Sequence, residues 1–385
     1  MRPRLTLAAM PATALRLALL YAAIFFVSGV QLPFGPVWLA SRRLSAAEIG
    51  AVLAVGQWIK VAVNPLAGLM ADRGRDQRRV MLVLSAATLA GFVLLLPARG
   101  FAMLLLLSAI AGASFSPLLP LSDAMTLAAA YAGRLDYGRV RLWGSLGFIG
   151  ATLLAGRLLA GGDADVVLYL LIAGVLAILA GALLLPRAAP MARRPGHATW
   201  RNLLRPRFLA FLGTATAIQG SHGIYYAFGT LYWRSFGISD ATIGLLWAEG
   251  VVAEIALFYW GAPFLRRFGP LGLLALGGGA GALRWTMTPL VAAVPLLALL
   301  QLLHALTFGA AHLGAMHYLA RSIAPERTAT AQAIYSATIG GIGPGFIMLG
   351  AGALYGAAGG MAYLSMAALA AIGAAAALIL SATKS

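Results

Sequence analysis

Runs of about 20 apolar residues recur along the whole chain, separated by short clusters rich in arginine, glycine and proline. A helix rises ~1.5 Å per residue, so each run is long enough to cross the ~30 Å hydrocarbon core of a bilayer. The apolar positions are continuous rather than alternating, which argues for helices and against a transmembrane barrel. Twelve spans are predicted: Leu15 to Leu39, Ala46 to Met70, Val80 to Leu96, Phe101 to Tyr131, Leu142 to Ala160 and Val166 to Leu185 form the first six. Phe208 to Tyr232, Ala241 to Phe264, Pro270 to Thr288, Leu296 to Arg321, Thr328 to Tyr355 and Ala358 to Leu380 form the second. Ser45 with Glu48 makes a capping box that starts the second helix. The longest polar connection, residues 187–207, is a basic linker between residues 1–186 and 208–385, with a short interfacial helix expected at Trp200 to Leu204.

Composition strengthens this reading. The 385 residues are 61% hydrophobic and only 10% charged, against about 25% charged in soluble domains. A net charge of +17 would suggest nucleic acid in a soluble protein. Here the cations punctuate the spans: with the N-terminus inside, 21 of the 28 Lys and Arg fall on the inner side and 5 on the outer, leaving Lys60 and Arg284 within spans. That bias predicts cytoplasmic termini. The basic N-terminal stretch leads into a full-length apolar run without an Ala-x-Ala site, so a retained helix is expected rather than a cleaved signal. The chain has no cysteine, which removes disulfides and thiolate ligands.

Ionisable residues inside the spans are the candidate chemistry, because a charge in hydrocarbon needs a partner or a wet cavity. Asp123 lies within Ser116 to Ile149, a stretch punctuated by Pro117, Pro120 and Gly138 that also carries Arg139 and Arg141 beyond Asp123. Lys60 falls at a similar depth, where it pairs with Asp123 or snorkels to an interface. Glu249 and Glu254 are five residues apart, roughly 140° apart around one helix, so they serve different neighbours. Arg284 and His304 fall in the same outer half as Glu249, with Glu254 and His312 lower. Either glutamate is a candidate carrier of a coupled proton, with His304 as relay; a static ion-pair network is the alternative. His222, Tyr225 and Tyr226 are either cavity lining or a packed helix contact, and His317 is structural. No His, Cys or acid spacing completes a metal site. Gln31, Phe34, Trp38, Trp143, Gln219, Trp247 and Gln332 are candidate pocket residues, with Trp38 and Trp233 also read as interfacial anchors. Gly340, Gly341, Gly343, Pro344 and Gly345 mark a flexible or broken segment.

The loop Gly68 to Arg79, GLMADRGRDQRR, resembles the signature of the major facilitator superfamily at Gly68, Asp72 and Arg73. It departs where Gly74 follows directly and Asp76 and Gln77 precede Arg78; Gly261 to Gly269 echoes it without the acid. Gln31 to Leu39, Pro120 to Leu127, Tyr137 to Ile149, Ser221 to Trp233 and Leu302 to His312 carry a resemblance to the phenylpropionate-permease-like branch, near the sugar and nucleoside proton symporters. The resemblance implies two six-helix bundles around a central cavity, a cytoplasmic gate of Gly68, Asp72, Arg73 and Arg139, and lactose-permease-like roles for Arg284, His304 and an acid on the eighth helix. It also implies a multi-pass protein of the bacterial inner membrane that takes up a small organic solute with protons, as a monomer. The solute expected is an aromatic acid, with sugar or nucleoside next. Proton-antiport efflux, or a non-transporting assembly or receptor protein, are the alternatives. No cofactor or nucleic acid is expected, and no enzyme: neither a nucleophile–base pair nor a Walker-type loop occurs.

Overall fold

In the computed structural model, residues 12–74, 76–185 and 205–383 are described, and every regular element among them is helical. Nine helical runs among these are long and apolar enough to cross a membrane, the last of them 53 residues, Thr330–Ala382. The chain divides into two compact units, one of residues 1–42 with 59–193, the other of residues 43–58 with 194–385.

The first unit holds α1 (Ala12–Ser41), most of α2 (Ala46–Gly74), α3 (Gln77–Leu95), α4 (Phe101–Phe115), α5 (Leu118–Tyr131), α6 (Tyr137–Leu159) and α7 (Val166–Leu184). The fourth predicted span is therefore two helices. Pro117 has no N–H to continue the ladder, and the Ser116 hydroxyl at the break donates to Asn64 Oδ1 at 2.8 Å. Asp76 and Asp136 are N-caps, accepting from the backbone N–H of Arg79 at 3.1 Å and Arg139 at 2.8 Å. Capping thus explains Asp76, the residue that interrupts the loop signature. α1 is the central element, packed on α6 and α7.

Trp38 is a correction. It is not an interfacial anchor but buried, donating from Nε1 to Asp165 Oδ1 at 2.9 Å while Arg42 stacks on its ring and pairs with the same carboxylate. Trp233 is likewise buried, against Tyr225. An aromatic near a predicted span end reads as an anchor only while the neighbouring helices are unknown.

The second unit adds Ala46–Trp58 of α2 to α8 (Pro206–Gly220), α9 (Gly223–Ser235), α10 (Asp240–Trp260), α11 (Ala262–Met287), α12 (Val294–Leu302), α13 (Ala311–Ser322), α14 (Pro325–Ala337), α15 (Gly343–Ala358) and α16 (Tyr363–Ala382). The capping box holds: Ser45 N and Oγ both donate to Glu48 Oε2 at 2.8 Å, and Glu48 N donates back to Ser45 Oγ at 3.3 Å. α11 is two helical pieces broken at Gly269, whose φ of 66° suits glycine, so the helix predicted from Pro270 starts there and residues 262–268 form a short piece before it. π-helical turns interrupt two predicted helices, at Ala305–Ala310 and Thr338–Ile342. The second falls in the glycine cluster, where Pro344 withholds a helical N–H. The core of this unit stacks Phe211 on Tyr318, ring centroids 4.2 Å apart, with Leu274 and Ala377 from α11 and α16.

Arg207 closes the end of α16, donating to Thr383 O at 2.6 Å and Leu380 O at 3.1 Å. Last-turn carbonyls otherwise lack partners, and a cation favours that end of the dipole. Arg207→Ala is expected to cost about 1 kcal/mol of stability, given the partial exposure of these bonds. A thermal-shift series in detergent, with Arg207→Lys recovering part of the loss, checks it.

Of the expected linker only residues 205–207 lie among the described residues, so the helix expected at Trp200 to Leu204 lies outside them. The side chains of Asp72 and Arg73 also lie outside the description, whereas Gly68 and Arg139 are half-buried on α2 and α6.

Candidate functional site

Four backbone features bring one polar cluster together inside the second unit. α8 ends at Gly220 and α9 restarts at Gly223, which leaves Ser221 and His222 on a turn, both fully buried. α11 delivers Arg284 and Trp285 on its last turn, each 1% exposed. α12 brings Gln301, and His304 follows immediately. The π-helical turn then carries Thr307, also fully buried.

The hydrogen bonds have a fixed polarity. A guanidinium only donates, so Arg284 donates to Gln301 Oε1, to His304 Nδ1 at 3.2 Å and to Thr307 Oγ1 at 3.2 Å. Gln301 is thereby oriented: its Nε2 donates to Leu246 O and to the Tyr225 hydroxyl, both at 2.9 Å. His304 accepts at Nδ1, so its ring hydrogen sits on Nε2 and faces Glu254 Oε2 at 3.8 Å. That separation is too long for a hydrogen bond and short enough for one to form with a small movement. His222 Nδ1 lies 3.0 Å from Gln219 O, an acceptor, so Nδ1 donates and Nε2 accepts from the Thr307 hydroxyl at 3.0 Å. One polarised path results: Arg284 to Thr307, Thr307 to His222, and His222 to the backbone of Gln219.

Aromatic faces surround the cation. Arg284 lies 4.8 Å from the Tyr225 ring and 4.5 Å from that of Trp285. Trp247 stacks on Tyr225 at 4.3 Å and is held by the Thr230 hydroxyl at 3.2 Å, while Tyr226 stacks on His222 at 5.4 Å. The groups that bond Arg284 are an amide, an imidazole and a hydroxyl. None of the three brings a negative charge, so these partners do not neutralise the guanidinium.

The structure thus joins His222, Tyr225, Tyr226, Trp247, Arg284, His304 and Glu254, with Gln219 reaching Phe308 O at 3.4 Å. Glu254 comes closer to His304 than its depth suggested. It sits beside Gly309, where a Cβ would lie 3.4 Å from the Glu254 Cγ. Glu249, half-buried on the same helix, is not in this network. Asp123 belongs to a separate cluster in the first unit, accepting at Oδ1 from Tyr21 at 2.5 Å and Tyr137 at 3.0 Å. Arg141 covers the rings of Phe25 at 4.1 Å and Tyr21 at 5.5 Å there. Lys60 is half-buried on α2 in the same unit. Gln31 and Gln332 are exposed and Trp143 half-buried, and neither cluster includes them.

Sequence reasoning missed Gln301, Thr307, Trp285 and Tyr21. Gln301 and Thr307 flank His304 at three-residue spacing, which places them on one helix face. That spacing was a usable signal. Gln301→Ala is expected to cost roughly 2–4 kcal/mol, because Arg284 Nη2, Leu246 O and the Tyr225 hydroxyl all lose a buried partner. Thermal unfolding of the purified variant measures this.

Residues 14–366 match the MFS_1 like family. The chain is 35% identical over 347 residues to the probable 3-phenylpropionic acid transporter of Escherichia coli K12, covering 88% of this chain and 90% of that protein. It is 32% identical over 344 residues to the maltose permease of Geobacillus stearothermophilus, covering 87% and 86%. Among solved structures, the nucleoside transporter NupG superposes with a TM-score of 0.84 over 97% of this chain and all of that one, at 18% identity. An inward-facing, occupied bacterial homologue of the lysosomal transporter Spinster gives 0.72 over 96% of each chain, at 15% identity. These two likenesses concern the fold.

Proposed function

The chain belongs to the MFS_1 like family, a family of membrane transporters and not of enzymes, and from that premise we propose that it takes up a small aromatic carboxylate together with protons. It is an integral, multi-pass membrane protein that handles a small-molecule solute. The observation that carries the finer reading is Arg284: a buried cation between aromatic faces, bonded only to groups that bring no negative charge. A carboxylate would engage the guanidinium through paired hydrogen bonds, and Tyr225 and Trp285 would offer their faces to an aromatic ring. The name of the Escherichia coli relative supports the same solute class.

In this proposal the chain forms twelve spans in two six-helix bundles, residues 1–186 and 208–385, joined by the linker and working by alternating access. The termini are cytoplasmic, the protein is a monomer, and it resides in the bacterial inner membrane. Glu254 or Glu249 carries the proton, with His304 between Glu254 and Arg284. Asp123, held by Tyr21 and Tyr137, and Lys60 are separate charged groups of the first bundle, and Gly68, Asp72, Arg73 and Arg139 form the cytoplasmic gate. Gln31, Trp143, Gln219, His222, Tyr225, Tyr226, Trp247 and Gln332 contribute to the solute path. A sugar is the second reading, favoured by the maltose permease relative.

The test is proton movement in proteoliposomes on adding 3-phenylpropionate, maltose or a nucleoside outside. Symport makes the external medium more alkaline with the transported solute alone. Solute flux without proton movement sinks the coupling, and flux of maltose but not of the acid selects the sugar.

A further inference from the structure

The junction between α10 and α11 exposes an unusual amount of aromatic surface. Within ten residues Tyr259 is 64% exposed, Trp260 63%, Phe264 42% and Phe268 43%. Arg266 and Arg267 lie among them, both exposed, and no ion pair or side-chain hydrogen bond engages either among the described residues. Arg267 lies 5.8 Å over the Phe268 ring, a contact through the face of the guanidinium that leaves its edge donors open. Gly269, with φ 66° and ψ 177°, breaks the helix before Pro270, so Ala262–Phe268 forms a short arm set off from the rest of α11.

Large aromatics side by side are costly to expose to water and are enriched where a bilayer meets it. Two adjacent guanidiniums with no carboxylate partner among the described residues present donor forks that match phosphate oxygens. The preceding helix, α10, is apolar enough to cross a membrane, so the arm is continuous with a spanning element. We infer that the arm Ala262–Phe268, with Trp260, is a binding site for the headgroup of an anionic phospholipid. Arg266 and Arg267 take the phosphate, and the aromatic side chains lie against the glycerol and upper acyl region. A soluble anion would engage the arginines and leave the exposed rings unaccounted for. This site is independent of the transported solute.

The experiment uses full-length protein, wild type and R266Q/R267Q, in phosphatidylcholine nanodiscs with increasing phosphatidylglycerol. Native mass spectrometry counts the retained lipids. Wild type is expected to retain phosphatidylglycerol preferentially, and the double variant to show a preference weaker by about thirtyfold, following from the loss of two surface charges. Inorganic phosphate at the same concentration is expected not to displace the lipid. Unchanged preference in the variant overturns the site, and full displacement by phosphate overturns the lipid as its occupant. Should the double variant fail to fold, R266Q and R267Q are read singly, each expected to lose about fivefold, and equality with wild type in both counts against the proposal.

Discussion

Arg284→Gln is expected to lower carboxylate uptake, as kcat/KM, by about a hundredfold. A charge-assisted hydrogen bond contributes roughly 1.5–3 kcal/mol, and each 1.4 kcal/mol is tenfold in affinity. Losing the paired bonds to a carboxylate therefore reaches about two orders of magnitude. The variant also leaves Gln301 Oε1 and His304 Nδ1 without the donor that orients them, so thermal stability must be measured alongside uptake. Arg284→Lys separates charge from geometry. It keeps the cation and cannot reproduce three fixed bonds at once, so a loss near tenfold is expected. If a well-folded Arg284→Gln protein transports the acid at the wild-type rate, the anion site is elsewhere. Asp123 and its tyrosines, with Arg141 beside them, would be examined next.

Glu254→Gln carries the second large effect. Its Oε2 is 3.8 Å from His304 Nε2, and His304 is bonded through Nδ1 to Arg284. A proton on Glu254 and an anion on Arg284 are thereby linked through one imidazole. Removing the titrating oxygen is expected to abolish accumulation driven by a proton gradient, at least tenfold below wild type, while solute exchange at equal concentrations on both sides persists. Glu249→Gln, outside the hydrogen-bond network, is expected to keep accumulation. The reverse pattern moves the proton to Glu249. Loss of exchange as well as accumulation would make Glu254 part of solute binding rather than of coupling.

Most of the architecture was legible because a bilayer demands long apolar runs with satisfied backbones. The helical class, the family signature in Gly68, Asp72 and Arg73, the Ser45–Glu48 capping box and the shortlist of buried charges all came from linear pattern. The breaks at Pro117 and in the glycine cluster were half legible, since the residues that withhold an N–H or admit a bend are visible. The π-helical turn at Ala305–Ala310 was not. It contains no proline, and nothing in its composition separates it from ordinary helix.

Sequence by itself determined which residues are expensive to bury, Arg284, His304, Glu254 and Asp123 among them, because that cost follows from residue type and local hydropathy. Only the tertiary structure decided what each one meets. Gln301 and Thr307 became ligands of Arg284, Asp123 fell to two tyrosines, and Trp38 became a buried donor to Asp165. These partners lie on different helices, and helical periodicity fixes a residue's face without fixing the neighbour that face will find.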